Sequence, residues 1–199
     1  MHFTRASYET LGEIYCMNQP RGVAGGFDLF APTAALGAVA DKLIAAAKDV
    51  GGRPCGWQAL EMVRIEAGLP RFGADMDETN LPSETGIEER AVSYMKGCYI
   101  GQEVIARIRT YGRVAKSLRG LVLLDDLETL PARGDKLIHN GKEAGYITSA
   151  LNSPAFRRNI ALGYVRRECD QPGTELQLRK GKLERRAIVV CLPFNLPGA

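Results

Sequence analysis

The sequence predicts an α+β chain in which helices set among short strands give way to a small antiparallel β-barrel. Three observations predict it: a run of good helix formers closed by paired glycines, a second helical pattern closed by glycine and proline, and repeated strand–turn–strand grammar after Lys116. The composition changes character between Arg113 and Lys116, so the expected division is an α+β domain over residues 1–115 and a barrel domain over residues 116–199. A chain of 199 residues has room for one large domain or two small ones, since domains cluster at roughly 100–150 residues.

The stretch GGFDLFAP, residues 25–32, alternates Phe27, Leu29 and Ala31 against Asp28 and Phe30, which suits a strand running into a helix. Pro32 fits a first helical position, where its missing N–H costs nothing. A helix over residues 33–50 is expected to stop at Gly51-Gly52, because helix ends favour a left-handed residue. A second helix, residues 56–67, puts Leu60, Val63 and Ala67 on one face and ends at Gly68 and Pro70. Glu61 and Arg64 are expected on its solvated face, and Glu66 shares that reading on spacing alone.

Next comes LPRFGADMDETNLPSETG, a long connection of the kind that covers or serves a site in compact domains. Its acids Asp75, Asp77, Glu78 and Glu84 lack the glycine and distal glutamate of an EF-hand loop and are read as solvated. From Gln102, EVIARIR sets Val104, Ile105 and Ile108 against Arg107 and Arg109 and reads as a helix.

After Lys116 the strands follow one another. SLRGLVLLD is one; KLIHNGKEAGYIT is two, joined by Asn140-Gly141, a pair that accepts positive φ in a tight turn. NIALGYVRRE is another, and TELQLRKGKLERRAIVVCLPF turns at Lys180-Gly181-Lys182. A small antiparallel barrel or sandwich follows. His139, beside the Asn-Gly turn, reads as an exposed structural residue, and Cys169 and Cys191, at strand ends, as ordinary thiols.

An apolar share of 45% and a charged share of 25% are ordinary for a folded globular chain. The longest apolar-leaning run, residues 31–47, is broken by Asp41 and Lys42 and falls short of the ~20 residues a membrane span needs. No membrane crossing is expected. MHFTRASYET lacks a basic region followed by an apolar one, so no secretory signal is read; the expected location is the cytoplasm, or the mitochondrial matrix in a eukaryote. A net charge of +3 does not imply nucleic acid, and no direct contact with it is expected. The five cysteines are odd in number and contain no C-x-x-C pair, which argues against a disulfide framework and a self-contained zinc site. No metal site is expected.

Cys98 lies in KGCYIGQE, residues 96–103. Gly97 and Gly101 allow tight or left-handed backbone on both sides of it. It precedes a helix N-terminus, whose free N–H groups and dipole favour negative charge, and Lys96 adds a cation; both lower a thiol pKa. On spacing alone, an inert buried thiol and a reactive or ligating thiolate both remain open. Neither histidine sits in a motif that would supply a base for hydrolysis. No companion cysteine would complete an iron–sulfur site, so a cluster would need ligands from a partner or a distant part of the fold. The run RIRTYGRVAKSLR, residues 107–119, gathers five cations around Tyr111 and reads as a solvated helix end and linker in preference to an anion-binding patch.

These residues carry a resemblance. KGCYIGQE looks like the signature of YgfZ-type proteins, relatives of the glycine-cleavage T-protein (aminomethyltransferase) superfamily. ALEMVRIEAGLPRFGADMDETNLPSE, residues 59–84, resembles that superfamily's helix and loop beside the folate pocket, and GKEAGYITSALNSPAFRRNIALGYV, residues 141–165, its C-terminal barrel. The similarity covers most of residues 25–194.

The resemblance implies the C-terminal part of a T-protein-like folate-binding domain followed by the barrel, with tetrahydrofolate as cofactor. Glu66 matches the acidic position of R-x-E-A-G that reaches the pterin in T-proteins, and this raises it above its solvated reading. YgfZ-type relatives imply an accessory factor for iron–sulfur cluster assembly or maintenance, including clusters of tRNA-modifying radical enzymes, and not a turnover enzyme. Cys98 would be the functional thiol, in a loop shaped by Lys96, Gly97, Tyr99, Gly101, Gln102 and Glu103. Its partners would be iron–sulfur proteins or cluster-assembly factors, with any cluster held only jointly with a partner. The alternative is a tetrahydrofolate-dependent aminomethyltransferase. Relative to the superfamily, the N-terminal part of the folate domain is expected to be absent; T-proteins take their catalytic aspartate from that part, so no residue here is assigned the role.

Overall fold

The computed structural model describes residues 3–22, 25–112, 114–125, 127–181 and 183–195. Its contacts divide the chain into two compact units, Met1–Arg64 and Ile65–Ala199.

In the first unit, β1 (Phe3–Tyr8), β2 (Gly12–Asn18) and β3 (Phe27–Phe30) form an antiparallel sheet in that order, with Phe3 opposite Met17 and Tyr15 opposite Phe30. The β1–β2 hairpin adds to the sequence expectation. Thr4, Arg5 and Ser7 interleave with its apolar residues, so no apolar run marks it. Phe3, Phe27 and Phe30 remain exposed.

After a single 3-10 turn at Thr33–Ala35 comes α1 (Leu36–Asp49), within the expected limits. It stops as expected: Gly51 is left-handed, its N–H donates to Lys48 O at 3.0 Å, and Gly52 N–H donates to Ala47 O at 2.7 Å. These are the paired bonds of a Schellman closure.

The next helix, α2 (Trp57–Glu66), departs from its expected orientation. Val63 is 44% exposed, whereas Arg64 and Ile65 are buried. Glu61 and Arg64 are therefore not on a solvated face. Arg64 Nη2 and Nε donate to Glu61 Oε2 at 2.8 and 3.2 Å, and this pairing one turn apart offsets the cost of taking a guanidinium out of water.

The second unit holds α3 (Pro82–Thr85), α4 (Glu88–Ala91), α5 (Gln102–Tyr111) and the barrel. The barrel strands are β4 (Lys116–Leu123), β5 (Lys136–His139), β6 (Lys142–Ser153), β7 (Arg158–Arg166), β8 (Glu175–Lys180) and β9 (Leu183–Val190). They close in the order β4-β7-β6-β5-β8-β9, every pair antiparallel, and β9 returns to β4. The expected α+β class with a C-terminal barrel is what the molecule has.

Inside the barrel lie Leu121, Leu137, Ile147, Val165, Leu178 and Val189, among others. Residues 160–165 are buried without interruption, so β7 is covered on both faces and reads as a continuous apolar run. Asn140 and Gly141 have φ of 50° and 74°, the doubly positive geometry that a two-residue hairpin turn requires. Gly181 occupies the β8–β9 turn, while Lys182 lies outside the described residues. His139 is half-buried, its Nδ1 3.1 Å from Glu175 O. Cys169 is buried, which pushes its thiol up, and Cys191 is exposed; all five cysteines are free. Among the described residues no helix is long and apolar enough to cross a membrane.

Candidate functional site

The connection after α2 is solvated only in part: Glu78 is exposed as expected, whereas Asp75 and Glu84 are not. Asp75 is 1% exposed, and Glu84 is buried with it. Asp75 Oδ2 accepts from Arg71 N at 3.0 Å, and its Oδ1 accepts from Thr148 Oγ1 and Ser149 Oγ, each at 2.6 Å. Adjacent residues in a strand point to opposite faces, so two neighbouring hydroxyls ordinarily cannot reach one oxygen.

A bulge makes it possible here. Ile147 pairs with Gly163 and Ser149 with Leu162, leaving Thr148 as the extra residue of β6. The local kink turns both hydroxyls toward the loop. A second tie runs from Arg133, whose Nη1 donates to Gly73 O at 2.9 Å and whose Nη2 lies 3.3 Å from Asp77. Thr79 and Arg133 hold the Asp77 carboxyl below its ordinary range. Glu84 Oε2 reaches back to Leu81 N at 3.3 Å and caps α3. The residues missed in the sequence, Asp75, Thr148, Ser149 and Ser153, had one readable signal: adjacent hydroxyl residues inside an otherwise apolar strand.

Glu66 stands at the end of α2. Its Oε1 accepts from Ser153 Oγ at 2.5 Å and from Ala155 N at 3.3 Å. Ser153 is fully buried and Glu66 partly so. Among the described residues no hydrogen bond reaches Oε2. The carboxylate is thus fixed through one oxygen, with the other available to a ligand.

Cys98 is exposed, not buried, in the loop before α5. Gly101 is left-handed at φ 87° and precedes the helix directly, whereas Gly97 is not left-handed. Gln102 Oε1 accepts from Tyr99 N at 3.2 Å, Lys96 Nζ lies 5.1 Å from the Tyr99 ring centroid, and Glu103 sits in the first turn, where the helix dipole favours an acid. Met95 and Ile100, on either side of Cys98 in the chain, are almost entirely exposed. The motif residues therefore form one local loop, and among the described residues no hydrogen bond joins it to Glu66.

The basic run does not form one patch. Arg109 stacks on Tyr94 at 3.9 Å, Lys116 lies 4.8 Å from the Tyr164 centroid, and Arg119 pairs with Asp170 at 2.6 Å. Arg113 lies outside the described residues. Among the described residues no three of His, Cys, Asp and Glu converge as a metal-ligand set, so Cys98 alone does not fit an iron–sulfur cluster.

Fold and site together define an α+β protein whose barrel is tied to the Glu66 carboxylate and to the acidic loop that follows it. Two family models match in series: the GCVT N-terminal domain at residues 4–96 and the glycine cleavage T-protein C-terminal barrel domain at residues 116–195. The chain belongs to the glycine-cleavage T-protein superfamily.

It is 33% identical over 183 residues to an aminomethyltransferase of Moorella thermoacetica, covering 91% of this chain and 49% of that protein. It is 31% identical over 173 residues to an aminomethyltransferase of Halalkalibacterium halodurans, covering 87% and 46%. The chain thus spans about half the length of the curated relatives it matches. A crystal structure of glycine cleavage system aminomethyltransferase T from Bartonella henselae shares the fold, with a TM-score of 0.78 at 24% identity over 92% of this chain and 50% of that one.

Proposed function

We propose that the chain supplies the pterin-holding carboxylate and the C-terminal barrel of a tetrahydrofolate-dependent aminomethyltransferase of the glycine-cleavage kind, divided at residues 115/116. The observation that carries this reading is the state of Glu66, pinned through Oε1 with Oε2 left to a ligand. The amino-pyrimidinone edge of a pterin offers the N–H donors such a carboxylate accepts. Bound tetrahydrofolate would supply the nitrogens that receive a one-carbon unit; Glu66 would orient the ring. The names of the relatives described above, aminomethyltransferases, support the same reading.

Calorimetric titration with tetrahydrofolate tests it. Glu66→Gln keeps the size and the pinned oxygen but loses the charge, and it is expected to weaken binding about 10- to 100-fold, the range of a charge-assisted hydrogen bond. Unchanged affinity removes the assignment.

A second reading, a YgfZ-type accessory factor serving iron–sulfur proteins or cluster assembly, including tRNA-modifying radical enzymes, is favoured by one observation: the exposed Cys98 thiol between exposed Met95 and Ile100. A thiol displayed in this way is accessible to a partner's cluster or sulfur species. Cys98→Ala is expected to depress the activity of a client radical enzyme in complemented cells while leaving tetrahydrofolate binding intact. Undiminished client activity eliminates this second reading alone. A cytoplasmic or mitochondrial-matrix location goes with either.

A further inference from the structure

The β6–β7 hairpin turns over residues 153–158, and Arg157 holds φ of 51° there, in the left-handed region that costs a non-glycine residue. The turn is tied down at its base. Glu66 holds Ser153 and Ala155, Ser153 Oγ accepts from Phe156 N at 3.1 Å, and Asn152 Nδ2 donates to Asn159 Oδ1 at 2.8 Å. Arg157 and Arg158 line a cleft of about 270 Å³ with Asn152, Asn159, Asp125 and the end of β4.

Among the described residues neither guanidinium meets a carboxylate. Asp125, the acid of the cleft, is already engaged: its Oδ2 accepts from Arg186 N at 2.6 Å and its Oδ1 from Arg186 Nη2 at 3.1 Å. The cleft therefore carries surplus positive charge from two arginines.

We propose that this cleft binds an oxyanion group of a small ligand, a carboxylate or a phosphate, between the Arg157 and Arg158 guanidiniums. A guanidinium presents paired, coplanar N–H donors that match two oxygens of one anion. A tied turn that keeps Arg157 in a costly conformation while its side chain lines a cleft is preorganised for such a ligand. The site goes beyond the folate reading and stands whether or not Glu66 meets a pterin.

Titration of the isotope-labelled full chain with sodium phosphate and, separately, sodium glutarate, followed at the arginine Nε–H signals, tests the proposal against sodium chloride at matched ionic strength. Arg157→Gly removes one guanidinium at a position where glycine relieves backbone strain, and Arg158→Gln removes the other charge without shortening the strand. Saturable shifts at both arginines are expected with at least one oxyanion, weakened at least about tenfold in either variant. The tighter titrant identifies the natural group as phosphate or carboxylate. Shifts that chloride reproduces, or saturable binding that both variants retain, overturn the proposal.

Discussion

Replacing Asp75 by alanine is expected to destabilise the second unit by roughly 3–5 kcal/mol, the scale of removing one partner from a buried charged network. Asp75 is almost wholly buried and receives a backbone N–H and two hydroxyls. Thr148 could redirect its proton to Leu162 O at 3.1 Å, but Arg71 N and Ser149 Oγ would lose the carboxylate oxygens they donate to. Unsatisfied donors cost more than the net worth of the bonds themselves. Asp75→Asn keeps the shape while turning an amide N–H₂ toward groups that already donate, so an intermediate loss of about 2 kcal/mol follows. Urea unfolding of the three proteins measures the series. An alanine variant within about 0.5 kcal/mol of the parent, the scatter of neutral surface changes, would show that the loop is not held by this carboxylate.

Gly145→Ala is expected to cost about 3 kcal/mol or more, at the upper end of overpacking effects. An added Cβ would lie 1.9 Å from Tyr164 O and 2.9 Å from its carbonyl carbon. Those atoms belong to the backbone of the neighbouring strand, so no side chain can swing aside. Gly145 pairs with both Leu137 and Val165, and β6 could move away from β7 only by breaking a ladder that is part of the barrel closure. Loss of the folded near-ultraviolet signal, or of soluble protein altogether, is the expected readout. A variant with the parent's unfolding midpoint would mean that β6 and β7 approach less closely than described.

The barrel was legible because each of its signals is local. Asn140-Gly141 dictates its own turn, and the apolar alternation of the strands survives wherever one face is core. The Schellman stop of α1 was equally local, written in two glycines. Asp75 was not legible. A carboxylate in a loop full of carboxylates looks solvated, and its partners Thr148 and Ser149 lie far along the chain, where their adjacent hydroxyls mark the strand as unusual without pointing to this carboxylate.

Arg64 failed for a related reason: a charged residue on a helix defaults to water unless its neutralising partner and its covering residues are both known. For the candidate site, the acidic position of Glu66 came from family resemblance and its pinning by Ser153 only from the fold. Cys98 illustrates the opposite limit. Its loop chemistry followed from a few consecutive residues, while its exposure beside Met95 and Ile100 depended on what does not pack against it.

The closed barrel leaves every one of its strands paired on both sides, whereas among the described residues β1 and β3 are each bonded on one side only, with Phe3, Phe27 and Phe30 exposed along them. An unpaired ladder is a template for a strand from a neighbouring molecule, and aromatic side chains make that pairing adhesive. Resistance to melting and resistance to self-association thus draw on different parts of the chain: the closed barrel offers no free edge, and the open edges of β1 and β3 are where pairing with a neighbouring molecule would start.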